Sequence, residues 1–288
     1  MLQRVFPSVS SLIHISRPQI AAQAALYSAL GAYLSAGLAG VFAWPVALSA
    51  VVVGLIVSFG FVINDYADLE LDRRSKPQRP LPLGDLSPAK ALRLMLALAL
   101  GALVVALALP SALFLFACTN LALAALYSLR LKRTVLLGNI AMASLNSSVL
   151  LFGALATGQI TTLVWGVAGM SLLYSLAQEV LYTVADMEGD AAGGIVTTAI
   201  YFGQAPALQF FRVLIVLAAA AALAPWWLTR TSPLYLLALI VCTIGPIIGY
   251  IVPLTMRADA DAIGWACDAV AMVRATSLIP LILLPMIG

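Results

Sequence analysis

Apolar residues in this chain come in long unbroken blocks, separated by short polar or Pro/Gly punctuation, not in alternation with polar ones. A membrane-crossing helix needs roughly 20 such residues. Marking the blocks on that scale predicts nine spans, at about 19–40, 44–63, 90–109, 112–129, 135–156, 160–182, 207–229, 233–255 and 268–287. Connections such as Leu109-Pro110-Ser111 and Ala156-Thr157-Gly158-Gln159 are short enough for tight helical hairpins. Two connections, 64–89 and 183–206, are long and polar.

Composition sharpens this. Of 288 residues, 63% are apolar and 9% charged, against about 25% charged in a soluble domain. That excludes a disordered chain and an ordinary water-soluble globule. The expected fold is all-α: a polytopic membrane protein, one integral domain over 1–288, with no cleaved leader and no appended soluble domain. Net charge of +3 gives no reason to expect nucleic acid; the placement of charge matters more. With nine spans, fourteen of the fifteen Lys and Arg fall on one side: Arg4, Arg17, Arg73, Arg74, Lys76, Arg79, Lys90, Arg93, Arg130, Lys132, Arg133, Arg212, Arg257 and Arg274. Only Arg230 falls on the other. Basic residues stay cytoplasmic, so the expectation is a multi-pass cell-membrane protein with its N-terminus in the cytoplasm. Cys118, Cys242 and Cys267 stand apart, with no CxxC spacing, and read as small buried hydrophobes.

Eight of the 12 acidic residues form two clusters. The first is Asn64-Asp65-Tyr66-Ala67-Asp68-Leu69-Glu70-Leu71-Asp72; the second contains Glu179, Asp186, Glu188 and Asp190. Each follows an apolar span, on the basic side. Asn64, Asp68 and Asp72 step by four and share a helix face; Glu179, Thr183, Asp186 and Asp190 do likewise. Like charges at that spacing repel. Two helices accepting the cost predict compensation by bound cations, and an oxygen-only ligand set selects hard ones, Mg²⁺ or Mn²⁺. A solvated rim is the bland alternative, and an ion pathway another, although transporter sites lie nearer the midplane. Arg73-Arg74-Ser75-Lys76-Pro77-Gln78-Arg79-Pro80 follows the first cluster; its prolines predict an extended, semi-rigid loop able to cover a site. With Arg17, Arg130, Lys132 and Arg133 on the same side, the set reads as a diphosphate clamp. The ligand it asks for has a diphosphate head and an apolar tail.

These residues resemble the UbiA superfamily of intramembrane prenyltransferases, and within it the digeranylgeranylglyceryl phosphate synthase branch and its bacterial relatives. Asn64, Asp65, Asp68 and Asp72 match its NDxxDxxxD signature, and Lys76-Pro77-Gln78-Arg79-Pro80-Leu81-Pro82-Leu83-Gly84 its KPxRPLPxG loop. Tyr127-Ser128 through Lys132-Arg133, with Gly138-Asn139, is similar to its YSxxLKR…GN stretch; Asp186-Met187-Glu188-Gly189-Asp190 to the DxEGD of its second signature; Arg17-Pro18 to the RP opening its first helix. The resemblance implies nine helices around a central cavity with the site toward the cytoplasm. It implies Mg²⁺ held by Asn64, Asp68, Asp72, Asp186 and Asp190, with Asp65 joining the catalytic aspartates. It implies a diphosphate bound by Arg17, Asn64, Lys76, Arg79, Arg130, Lys132 and Asn139, and an aromatic or alcohol acceptor that attacks the allylic carbon. Many members carry Lys-Asp where this chain has Tyr182-Thr183; Glu179, one turn earlier on that face, is placed to substitute.

The expected reaction is Mg²⁺-dependent transfer of a prenyl group from an isoprenoid diphosphate to a lipophilic or aromatic acceptor within the lipid bilayer. A tail of about 10–20 carbons or longer fits a hydrocarbon core roughly 30 Å thick. Phe61, Tyr66, Tyr127, Tyr174 and Tyr182 are candidates for cation–π contact with the allylic cation. Asp65 is the candidate for assisting acceptor deprotonation, and His14, the sole histidine, reads as interfacial. The alternative is an intramembrane terpene cyclase, which ionises the same substrate and needs no acceptor.

Overall fold

The computed structural model describes residues 7–229 and 233–284. Arg4 and Arg230, both used in the charge count, lie outside the described residues, as does the end of the ninth predicted block. Among the described residues there is no strand, and nine helices are long and apolar enough to span a bilayer. They are α1 Pro18–Val41, α2 Trp44–Ala67, α3 Pro88–Ala106, α4 Ser111–Arg133, α5 Leu137–Ala156, α6 Thr162–Ala185, α7 Gln204–Leu228, α8 Pro233–Arg257 and α9 Ala260–Leu283.

Local chemistry sets the boundaries. Proline at the first positions opens α1, α2 and α3, where its missing N–H would have no helical partner anyway. Ser87, Thr161 and Asp259 cap α3, α6 and α9 by accepting from Lys90 N, Val164 N and Ala262 N at 3.4, 3.3 and 2.9 Å. The last cap explains the largest departure from the sequence pattern. The ninth span starts at Ala260, eight residues ahead of the apolar block at 268, because Asp259 nucleates helix through Asp261 and Asp268.

The connection expected to be an extended loop is mostly helical. Asp68 breaks α2 with φ −95° and ψ 5°, a short helix Leu69–Ser75 follows, and Pro80–Leu83 makes one further turn. Pro80 starts that turn instead of preventing it. Asp186 breaks α6 in the same way, with φ −91° and ψ 4°, before the short helix Met187–Ala192. The two aspartate signatures therefore sit at matching breaks.

Successive spans run antiparallel, so both signatures lie at one end of the bundle. α1 packs on α2 and α5, α6 on α5, α7 and α9, and α2 also on α3 and α4. The approach of α1 and α5 is closest at glycine: a Cβ on Gly31 would strike the Leu150 carbonyl, and one on Gly153 the Ser28 carbonyl. Small residues that let backbones meet are the usual means of packing helices in lipid.

Candidate active site

The first signature is wired to bases from three other parts of the chain. Lys132, at the end of α4, places Nζ 2.6 Å from Asp68 Oδ1 and donates to Asn64 Oδ1 at 3.0 Å. Arg79 donates to Asp72 Oδ2 at 2.6 Å and to Asp65 Oδ1 at 3.0 Å. Arg17 donates to the same Asp65 oxygen at 3.1 Å and lies 4.3 Å over the Phe61 ring. Arg133 stands 3.9 Å from Asp68. The like-charge cost expected to call for bound cations is thus met at the first cluster largely by side chains. Asp65, 4% exposed, is clamped between two guanidiniums. Both guanidiniums bear on one oxygen, Oδ1, and favour the carboxylate form.

The second signature is different. Among the described residues, Asp186, Glu188 and Asp190 make no ion pair. Burial, and next the Asp186 carboxylate, push the Asp190 carboxyl up to about 6, while Lys76 and Lys132 pull it back and Asp68 adds to the rise. The second cluster therefore shares one electrostatic neighbourhood with Asp68, Lys76 and Lys132. Contact across the breaks agrees: Gly193 abuts the Leu71 side chain.

Divalent cations fit this donor set. The first cluster presents only oxygen donors, and the second holds carboxylates with no cation in contact among the described residues. Among the described residues no three acidic, His or Cys side chains already converge on one point. Mg²⁺ needs no such cage: it takes one or two carboxylates and completes its shell with substrate phosphate and water.

Behind the signatures lies a cavity of about 520 Å³, bounded by α1, α2, α4, α5, α6 and α9. Its mouth holds Arg17, Asn64, Arg79, Tyr127 and Tyr182. One wall is mostly apolar, with Val53, Ile56, Val57, Leu145, Val149 and Phe152, interrupted by Asn120, Asn146 and Ser148. The opposite wall is polar: Tyr27, Gln178, Glu179 and Arg274. Arg274 donates to Gln178 Oε1 at 2.8 Å, Gln178 donates to the Tyr182 hydroxyl at 2.8 Å, and the Tyr27 hydroxyl donates to the Arg274 carbonyl at 2.8 Å.

Several expected site residues are placed elsewhere. Arg130 is exposed near the end of α4, with no carboxylate in contact. The Asn139 carbonyl accepts from Thr198 Oγ1 at 2.6 Å, and the Thr198 oxygen accepts from Leu136 N, so Asn139 ties α5 to the segment after the second signature. Thr183 spends its hydroxyl on Val180 O at 2.8 Å within its own helix. Of the aromatic candidates, Phe61, Tyr127 and Tyr182 line the cavity. Tyr174 donates to Val270 O, and Tyr66 packs with Leu81 and Leu86. Arg274, assigned from sequence to the cytoplasmic rim, lies 14 residues into α9, about 21 Å along the helix. The sequence reading missed it with Tyr27 and Gln178. The available signal was a lone charge within the last apolar block.

Residues 25–266 match the model of the UbiA prenyltransferase family. The digeranylgeranylglyceryl phosphate synthase of Methanoculleus marisnigri is 40% identical over 225 residues, covering 76% of this chain and 79% of that protein. The protein of the same name from Thermococcus kodakarensis is 32% identical over 223 residues, 75% and 77% of the two chains. A solved structure from a study of digeranylgeranylglyceryl phosphate synthase in membranes superposes with a TM-score of 0.78 at 26% identity, covering 96% and 97%. A UbiA homolog from Archaeoglobus fulgidus, bound to GPP and Mg²⁺, superposes with a TM-score of 0.71 at 18% identity, covering 94% and 99%.

Proposed function

The chain belongs to the UbiA prenyltransferase family, and from that premise we propose that it moves a prenyl group from an isoprenoid diphosphate to the free hydroxyl of a prenylated glycerol phosphate, with Mg²⁺ as cofactor. The observation that carries this is the pairing of two aspartate-bearing helix breaks in one electrostatic neighbourhood, at the mouth of a chamber with an apolar wall. The acceptor class follows the name shared by the relatives at 32–40% identity. The A. fulgidus homolog, solved with GPP and Mg²⁺, supports the donor and the metal.

Asp68 and Asp72 on one side, and Asp186 and Asp190 on the other, would hold Mg²⁺, with Asn64 beside them. The metal would neutralise the diphosphate and make it a better leaving group. Arg79, Lys132 and Lys76 stabilise charge that develops on the departing oxygens. Arg17 fixes Asp65 and the first turn of α1 against α2. The apolar wall takes the isoprenoid tail and keeps water from the allylic cation, and Tyr127 and Tyr182, which line the same chamber, are placed to stabilise it. The charge asymmetry of the connections supports a mouth and an N-terminus in the cytoplasm, and the packing of the nine spans supports reading the chain as one domain.

The test uses purified protein in detergent with labelled geranylgeranyl diphosphate, Mg²⁺ and geranylgeranylglyceryl phosphate. The expected product is the doubly prenylated glycerol phosphate, lost with EDTA and in Asp68→Ala and Asp190→Ala. Diphosphate release that persists in both variants overturns the two-signature site. Tyr182 and Thr183, where many relatives carry Lys-Asp, favour the terpene cyclase as the second reading; a hydrocarbon or terpene alcohol formed while the acceptor is untouched decides for it.

A further inference from the structure

We propose that Glu179 takes the proton from the attacking acceptor hydroxyl, with Arg274 as its fixed counter-charge on the same wall of the chamber; this rests on the transfer reading above. Asp190 and Asp186 stand at and beyond the end of α6, and Tyr182 and Glu179 follow inward along it. Glu179 is seven residues from Asp186, about 10 Å along a helix. The diphosphate belongs at the aspartate level, so the allylic carbon and the oxygen that attacks it belong at the next level inward. Glu179 lines the chamber there.

The aspartates of the first signature are committed, and those of the second lie at the metal level. Asp65 is held by Arg17 and Arg79, Asp72 by Arg79, and Asp68 by Lys132. Glu179, among the described residues, makes no hydrogen bond and no ion pair. An ionisable side chain within a span that has no partner in contact and faces a cavity marks function. Arg274 gives its hydrogen bond to Gln178 yet its charge reaches Glu179. Tyr127 of α4 lines the same chamber. Arg274 also stands beyond residues 25–266, the stretch that matches the family, so the pairing of these charges is read from this chain alone.

The step balances without a redox partner. The acceptor oxygen forms a bond to the allylic carbon. The bond from that carbon to the diphosphate oxygen breaks, and its electron pair leaves with the diphosphate. The hydroxyl proton passes to the Glu179 carboxylate and then to water at the mouth.

The experiment measures diphosphate release and acceptor prenylation together, with geranylgeranyl diphosphate, Mg²⁺ and geranylgeranylglyceryl phosphate, across pH. In Glu179→Gln, kcat for prenylation is expected to fall on the order of 100-fold or more, the usual worth of a positioned base. KM for the prenyl diphosphate should hold, and the acid limb of the wild-type pH profile should vanish. If the Gln variant does not elute as folded protein, Glu179→Asp carries the decision: a reduced kcat with the acid limb kept supports the assignment. A Gln or Asp variant with wild-type kcat, or a kcat that falls only in step with lost prenyl diphosphate binding, overturns it and leaves the transfer reading standing. Wild-type protein that releases diphosphate without consuming acceptor overturns both.

Discussion

Lys132 stands between two elements that the sequence keeps far apart, with Asp68 at 2.6 Å and Asn64 at 3.0 Å. Removing one member of a mostly buried ion pair leaves the other charge uncompensated, at about 3–5 kcal/mol. Lys132→Met is therefore expected to lower the melting temperature in detergent with EDTA, and millimolar Mg²⁺ should recover part of the loss by supplying the missing positive charge. A variant as stable as wild type in EDTA would show that the contact carries no weight. Asp65→Asn should behave differently. It leaves Arg17 and Arg79 without their shared carboxylate, and no added divalent cation can replace that, so its loss of stability should persist in Mg²⁺. At this scale the motif was legible and its wiring was not. Spacing put Asn64, Asp68 and Asp72 on one face, but nothing local says that Lys132 and Arg79 occupy their oxygens. For the same reason Asn139 looked like a ligand contact and proved to be a fastening to Thr198.

Helices α1 and α5 meet where Gly31 faces Leu150 and Gly153 faces Ser28 backbone. An added methyl at either place forces the whole helix pair apart, because the obstacle is a carbonyl and not a side chain that can turn aside. Overpacking typically costs 1–3 kcal/mol, and Gly153→Ala should cost at least about 3 kcal/mol, read as a fall in melting temperature. Gly60→Ala, where a Cβ meets nothing within 4 Å, is the control and should melt near wild type. Span number and type were readable because blocks of roughly 20 apolar residues have few alternative fates. Ends were less so. The ninth helix begins at a capping aspartate followed by two more acids in its first three turns, residues that a hydropathy window counts as loop. The polar connection after α2 likewise hid two short helices, since its prolines sit where helices start.

For the molecule as a whole, the asymmetry of charge predicts which side each connection faces. Ser75→Cys, beside the first signature, should resist an impermeant thiol reagent added to intact cells, and Ser111→Cys, at the opposite end of the bundle, should react. The wild type with its three half-buried cysteines sets the background. The reverse pattern would turn the protein over in the membrane. Arg274 has a consequence at this scale too. A mid-span arginine costs about 2.5–3.5 kcal/mol to insert, and it sits in the ninth span, synthesised after eight others. Its hydrogen-bond partner, Gln178, is on the sixth. The ninth helix thus leaves the ribosome as a poor candidate for lipid on its own and becomes a good one beside a bundle already assembled. Biogenesis should be ordered accordingly: the earlier spans build the berth, and the ninth is admitted only once its lodging exists.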